Sequence, residues 1–263
     1  MAYQFVLTEK RGQVFILTLN RPEKRNALNS AMWAEIAQAI EEFEADDDAR
    51  ALVITNNGPC FCACSDLKEI SNGTYHPPAG YEDQGFATIT GHYIQKPVIV
   101  AVEGMCMGGG AEILLACDIG VLSSDCVLGY PEVKRGLVAG GGAALLRLAQ
   151  AIPVKFALEL LLTGDNIDAE TAVRWGLANH IAEPGHTLER ALQIAEAIAA
   201  NGPVAVRLTK RQVYENLDQG WLREGNPGWE AAMAADMGIK QTEDAHEGSS
   251  AFAEKRAPVW KNR

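Results

Sequence analysis

Long apolar runs are missing from this chain. Nowhere in its 263 residues do 18 apolar positions follow one another without a charge, so a membrane-spanning helix is not expected. The opening MAYQFVLTEKRGQVF lacks the basic-then-apolar pattern of a secretory leader and the Arg/Ser richness of a transit peptide, which makes the cytoplasm the expected location. Positive charge is scarce. With 23 Lys+Arg against 34 Asp+Glu the net charge is −11, the wrong sign for nucleic acid or an anionic membrane, so neither is expected as a partner. A local basic patch for a phosphorylated small molecule stays compatible with that charge. There is no G-x-G-x-x-G dinucleotide fingerprint, no P-loop and no G-x-S-x-G elbow of a serine hydrolase. The cluster Cys60, Cys62 and Cys64 lacks a second Cys or His pair at zinc spacing, so no metal is expected and reduced thiols are the default.

What is present is an ordinary globular composition, 48% apolar and 22% charged, long enough for one large domain or two small ones. Phe5 and Leu7 alternate with polar neighbours, Arg11-Gly12 turns, and a β-rich run over 14–19 completes a hairpin. Ser30 can cap a helix carrying Trp33, Ile36, Ala37, Ile40 and Phe43 at helical spacing. Buried-type strands follow over 51–55, 97–102 and 118–122, with a polar, Gly/Pro-bearing stretch over 71–95 that leads into a helix expected near 86–94. This alternation predicts an α/β core. From residue 140 the pattern is mostly helical, with helices expected near 141–151, 154–163, 168–175, 187–200, 203–219, 227–238 and 242–254, and a short strand at 178–182. No low-complexity linker divides the chain; a core over 1–200 and a helical region over 201–263 are the expected organisation.

Three segments at strand ends carry the candidate chemistry. They are 61–69, 104–112, and Tyr130-Pro-Glu132 with the glycine run at 140–142. The triplet 108–110 opens a helix, whose first amides lack internal partners and sit at the positive end of the dipole. Such an amide can hold a developing oxyanion; a tight turn with close packing accounts for the glycines equally well. Glu112 in the first helical turn complements the dipole, and Glu132 after Pro131 reads as a loop acid. Together, two carboxylates flanking one site can divide general-acid and general-base work.

These segments make the chain similar to the crotonase superfamily, the enoyl-CoA hydratase/isomerase family, along essentially its whole length. The run Asn20-Arg-Pro-Glu-Lys-Arg-Asn-Ala-Leu-Asn29 resembles the family's N-terminal signature, and 61–69 resembles F-x-A-G-A-D-L-K-E. Residues 104–112 with Cys117-Asp118 resemble G-x-x-x-G-G-G-x-E…C-D, and 131–140 resemble P-E-x-x-x-G-L-x-P-G. The tail from Glu243 to Lys261 matches the family's C-terminus, and it is similar to carnitinyl-CoA dehydratases as well as to hydratases.

The resemblance implies a spiral of repeated β-β-α units followed by a helical C-terminal region used in trimer or dimer-of-trimers assembly. It implies an acyl-CoA thioester whose carbonyl oxygen is bound by the backbone amides of Ser65 and Gly109. On matching positions Glu112 and Glu132 are the two catalytic glutamates, and Gly140 is a backbone position beside the catalytic water. The implied reaction is syn addition of water across the C2–C3 bond of a 2-enoyl-CoA, without metal or redox cofactor. Carnitinyl-CoA-type dehydration or double-bond isomerisation is the alternative, and a CoA-binding protein without catalysis is the reading from another class. Lys24, Arg25, Ala27 and Leu28 fall in one implied substrate loop. Ala63, Asp66, Leu67, Lys68 and Gly108 fall in the others, and Lys255 is expected to reach a neighbouring subunit's ligand, as is Arg256. Three departures stand out: Cys64 where the family usually has Gly, Ser65 where Ala is usual, and Ala139 where Pro is common. Cys resists any positive φ that Gly permits.

Overall fold

A computed structural model describes residues 3–141, 144–217, 234, 238–239 and 241–263. The helix expected over 227–238 and the end of the one expected over 203–219 lie almost wholly outside these residues.

The hairpin forms as β1 (Val6–Arg11) and β2 (Val14–Leu19), antiparallel. Helix α1 (Ser30–Ala45) follows. Its N-cap is Asn29, which accepts from the Met32 amide at 2.9 Å. Ser30 is instead the first helical residue, and its hydroxyl bonds Glu69. Three strand pairs come next: β3 (Ala51–Asn56) with β4 (Cys60–Cys62), β5 (Val98–Val102) with β6 (Met105–Met107), and β7 (Ile119–Ser123) with β8 (Val127–Gly129). The first pair leads into α2 (Leu67–Ser71), the second into α3 (Gly109–Ala116), and the third into a 3-10 turn over Pro131–Arg135. This is the expected β-β-α repeat. In each unit the long strand joins one sheet and the short strand another.

The large sheet has the order β1-β2-β3-β5-β7-β10, with β10 at His180–Ala182. The small sheet has the order β4-β6-β8-β9, with β9 at Asn166–Asp168. The strands from β2 to β10 pair in parallel; β2, β3, β5 and β7 bury both faces, which is why they read as apolar runs, while β10 is a half-exposed edge. Leu52 and Ile54 face the main core with Phe43 and Phe61; Val53, Ile99 and Val121 face helix α7 (Thr187–Ala199) through Ala191 and Ala195.

Helices α4 (Ala144–Ala151), α5 (Val154–Thr163) and α6 (Ala169–Trp175) cover the end of the spiral. Helices α8 (Pro203–Glu215) and α9 (Glu243–Glu254) form a helical C-terminal part. Helix α8 is tied back by Lys210, whose ammonium meets Asp118 at 2.7 Å, and by the Tyr214 hydroxyl, which donates to the same carboxylate. None of the described helices is long and apolar enough to cross a membrane.

The helix expected near 86–94 is a correction. Only a 3-10 turn over Phe86–Thr88 forms, and Ala87 and Thr88 take left-handed φ values of +58° and +59°. Two such residues in succession cannot continue a right-handed helix. The Thr88 hydroxyl accepts from Trp33 Nε1 at 3.0 Å, which turns the segment inward.

Candidate active site

A miniature ladder assembles the first half of the site. The Ala63 amide donates to Arg25 O at 3.1 Å, Leu28 N to Cys64 O at 2.8 Å, and Asp66 N to Leu28 O at 2.7 Å. This pairing brings Lys24, Arg25, Ala27 and Leu28 alongside Ala63, Asp66, Leu67 and Lys68. Arg21 reinforces it: its guanidinium donates to Asp66 at 2.8 Å and to the Ala27 carbonyl at 2.8 Å. Asp66 also caps α2 through the Lys68 amide. Burial opposes ionisation of Asp66, yet the bonds from Arg21 and Lys68 overcome it and hold the carboxyl below the usual range. Lys24, Arg25, Leu67 and Lys68 remain exposed at the rim.

Asn26 locks this loop to the sheet. Fully buried at φ +51°, it accepts from the Arg21 amide and donates to the carbonyls of Asn57 at 3.0 Å and Cys60 at 2.7 Å. Asparagine tolerates that conformation better than most residues.

The glycine triplet has two separate causes. A Cβ on Gly109 would meet the Phe86 ring at 2.5 Å, and one on Gly110 would meet the Cys62 carbonyl oxygen at 2.5 Å. Close packing thus accounts for these two. Gly108 differs, because its φ is +53° and its missing side chain opens onto functional groups. A Cβ there would stand 2.8 Å from Glu132 Oε1 and 2.9 Å from Cys64 Sγ. The Cys64 sulfur and the Glu132 carboxylate therefore meet at the start of α3.

Glu112 and Glu132 converge from two elements. Glu112 is buried in the first turn of α3, and its Oε1 accepts from the Ala144 amide at 3.2 Å. Glu132 enters on the turn after β8, and its Oε2 is buried without a hydrogen-bond partner among the described residues. Burial pushes its carboxyl above the usual range, and the neighbouring Glu112 carboxylate adds to this. Tyr130 ties the two elements together by donating to the Ala111 carbonyl at 3.2 Å.

Cys64 takes φ +85°, the region that glycine favours. Burial raises its thiol pKa, while the nearby backbone of Gly109 and Ser65 pulls the other way. Cys60 and Cys62 are buried in β4 and their thiols are raised as well, mainly by burial.

Two expected positions are not gathered here. The Gly140 amide donates to Val138 O, and it is Ala144 rather than Gly140 whose amide meets a catalytic-site carboxylate. No hydrogen bond or ion pair joins Lys255 to the substrate loops among the described residues, and Arg256 is held by Glu247 and Glu254 within its own tail. Sequence reading gave no separate role to Arg21, Asn26 or Phe86. The first two lie inside the N-terminal signature and were legible as part of it; Phe86 had no local signal, and Tyr130 was legible only as the start of its motif. A cavity of about 640 Å³ lies beside α8 between Tyr93 and Arg207. It is lined by one carboxylate, Glu215, and no carboxylate pair, so the cluster at Gly108 is the better candidate.

Comparison with known proteins agrees. A family model described as enoyl-CoA hydratase/isomerase matches residues 9–263. The chain is 40% identical over 267 residues to enoyl-CoA hydratase EchA19 of Mycobacterium tuberculosis, covering 98% of this chain and 96% of that one. It is 34% identical to a carnitinyl-CoA dehydratase of Salmonella typhi, covering 97% of each. The crystal structure of enoyl-CoA hydratase EchA1 from Mycobacterium marinum superposes with a TM-score of 0.90 at 42% identity, covering 98% of this chain and 99% of that one.

Proposed function

Because the chain belongs to the enoyl-CoA hydratase/isomerase family and has its crotonase fold, we propose that it hydrates a 2-enoyl-CoA thioester at the Gly108 cluster. The observation that carries this reading is the meeting of two buried-side carboxylates, Glu112 and Glu132, at the amide-lined head of one helix. The thioester carbonyl oxygen accepts from the Ser65 and Gly109 amides. One carboxylate takes a proton from water as its oxygen bonds to C3. The C2–C3 pair moves onto C2 and the thioester, giving an enolate whose oxygen the two amides stabilise. The second carboxylate then delivers a proton to C2. The raised Glu132 supports this division, since a carboxyl that holds its proton more tightly than its partner is the one poised to donate it. The exposed Lys24, Arg25 and Lys68 at the rim suit the phosphates of CoA. No metal or redox cofactor enters the scheme.

Run backwards, the same groups eliminate water from a 3-hydroxyacyl-CoA, the direction that the carnitinyl-CoA dehydratase name of one relative favours. We also propose assembly as a trimer or dimer of trimers, which the exposed Leu145, Leu146, Leu158 and Leu162 on α4 and α5 support; sedimentation mass tests it. The reaction is tested with crotonyl-CoA by loss of enone absorbance. Glu112→Gln and Glu132→Gln are each expected to lower the rate at least about 100-fold. Undiminished turnover in either folded variant refutes the two-carboxylate scheme.

A further inference from the structure

A strained loop stands against the head of α3. Ala87 and Thr88 take φ +58° and +59° in succession, and for a β-branched residue such as Thr88 that value is a true outlier. The Gly91 amide donates to the Gln84 carbonyl at 3.0 Å and closes the loop, which buries Phe86, Ala87 and Thr88. Backbone of this kind persists only where its surroundings over-determine it. Two neighbours do so. From α1 the Trp33 indole donates to the Thr88 hydroxyl at 3.0 Å, in a buried bond. From α4 the Arg147 guanidinium donates to the Thr90 carbonyl at 3.0 Å. What the loop delivers is the Phe86 ring. A Cβ on Gly109 would lie 2.5 Å from two of its atoms, and Trp33 packs on the same ring with centroids 5.9 Å apart. Trp33 thus holds both the turn and the ring that the turn presents.

We propose that the Trp33–Thr88 bond sets the position of the Gly109 amide, with Phe86 as the intermediary, so that Trp33 and Thr88 are positioning residues for the carbonyl-oxygen seat. The proposal rests on the acyl-CoA reading above. Gly109 has no side chain of its own to fix its peptide plane; the Phe86 ring, seated where its Cβ would be, supplies that contact. While the Thr88 hydroxyl receives the indole N–H, the turn cannot relax and the ring stays on Gly109. Without that acceptor, Ala87 and Thr88 relax toward ordinary φ, the ring withdraws and the amide gains freedom. An oxyanion donor acts only when held to within about 0.5 Å of its productive place. Its displacement is felt most as charge develops on the oxygen. Kcat and kcat/KM therefore fall together and KM changes little.

The test compares wild type with Thr88→Val, which keeps the side chain's shape and deletes the acceptor, and with Thr88→Ser, which keeps the acceptor. Phe86→Leu leaves the Trp33–Thr88 bond intact and shortens the contact on Gly109, so it carries the test if Thr88→Val does not fold. The direct readout is the infrared stretch of the thioester carbonyl in bound butyryl-CoA, labelled with ¹³C at that carbon. In wild type the stretch is expected below its value in water. In Thr88→Val and Phe86→Leu it is expected to move back toward that value, and in Thr88→Ser to return to the wild-type position. With crotonyl-CoA, kcat is expected to fall about 10- to 100-fold in Thr88→Val and Phe86→Leu, with KM within about threefold, and to be restored in Thr88→Ser. A folded Thr88→Val with the wild-type carbonyl stretch overturns the proposal, as does a Thr88→Ser that behaves like Thr88→Val. Equal loss of affinity for CoA itself, which has no carbonyl to seat, also overturns it, because the effect is then general loosening. If no form hydrates crotonyl-CoA but the stretch responds as expected, the hydratase reading fails and the positioning role stands. If wild type binds butyryl-CoA with the stretch unchanged from water, the seat at Gly109 and this proposal both fall.

Discussion

Gly109→Ala sets two effects of known size against each other. Alanine is favoured over glycine inside a helix by up to about 1 kcal/mol, so helix propensity alone predicts a more stable protein. The structure predicts the reverse. The new methyl would lie 2.5 Å from two atoms of the Phe86 ring. Phe86 is only 4% exposed, and Trp33 packs on it with ring centroids 5.9 Å apart, so the ring has nowhere to swing. Overpacking of this kind costs about 1–3 kcal/mol. The clash wins by roughly 1 kcal/mol, which lowers Tm by about 2–4 °C in a chain of this size. The backbone relieves part of the clash by moving the Gly109 amide, and on the proposed reaction the loss of this oxyanion donor is expected to lower kcat about 10²–10³-fold. Thermal unfolding and crotonyl-CoA turnover measure the two parts. Adding Phe86→Leu makes room for the methyl, so the double variant is expected to recover stability by a coupling of about 1 kcal/mol. A Gly109→Ala protein with raised Tm and unaltered kcat refutes both the packing argument and the placement of the amide.

Three further outcomes are expected. Glu132 has a folded-state pKa above its unfolded value, so the folded form binds this proton more tightly. The penalty for ionising it is absent below about pH 4.5, grows as pH rises through the folded value and is complete above it; Glu132→Gln is expected to flatten that part of the stability–pH curve, and the alkaline limb of wild-type kcat/KM, where Glu132 loses the proton it donates, is expected above the usual glutamate range. Asn26→Ala removes one buried and two half-buried hydrogen bonds, and stranding their partners is expected to cost about 2–5 kcal/mol in denaturant unfolding and, on the proposed function, to weaken acyl-CoA binding by loosening the 25–28 ladder. Lys210→Met breaks an ion pair whose side chains are 11% and 18% exposed; because Tyr214 and the Val98 amide still satisfy Asp118, the loss is expected toward the lower end of about 3–5 kcal/mol, read as a lowered denaturant midpoint.

Much of the large sheet was legible because its strands are long and buried on both faces, as 51–55 and 97–102 show. The small sheet was not. Strands of three residues at 60–62, 105–107 and 166–168 are too short to display a period, and their neighbours lie tens of residues away in sequence. The residues of the motifs could be quoted in order, but the ladder joining 25–28 to 63–66 is a long-range pairing that no local pattern encodes. Phe86 illustrates the limit. Its surroundings read as a helix, while its role is to fill the space that Gly109 leaves open. Cys64 was legible in one respect, as a Cβ placed where glycine is usual; that its sulfur would stand against the open side of Gly108 was not.

The small sheet also acts as a ruler. Ser65 follows β4, Gly109 follows β6 and Glu132 follows β8, and these three strands are hydrogen-bonded neighbours running in parallel. Adjacent strands stand about 4.8 Å apart, a spacing set by the length of the peptide hydrogen bond and not by any side chain. The three positions proposed to act are therefore mounted one per rung on a ladder whose gauge mutation cannot readily alter. Such a mounting lets the residues around them change in sequence while the spacing of the three stays fixed.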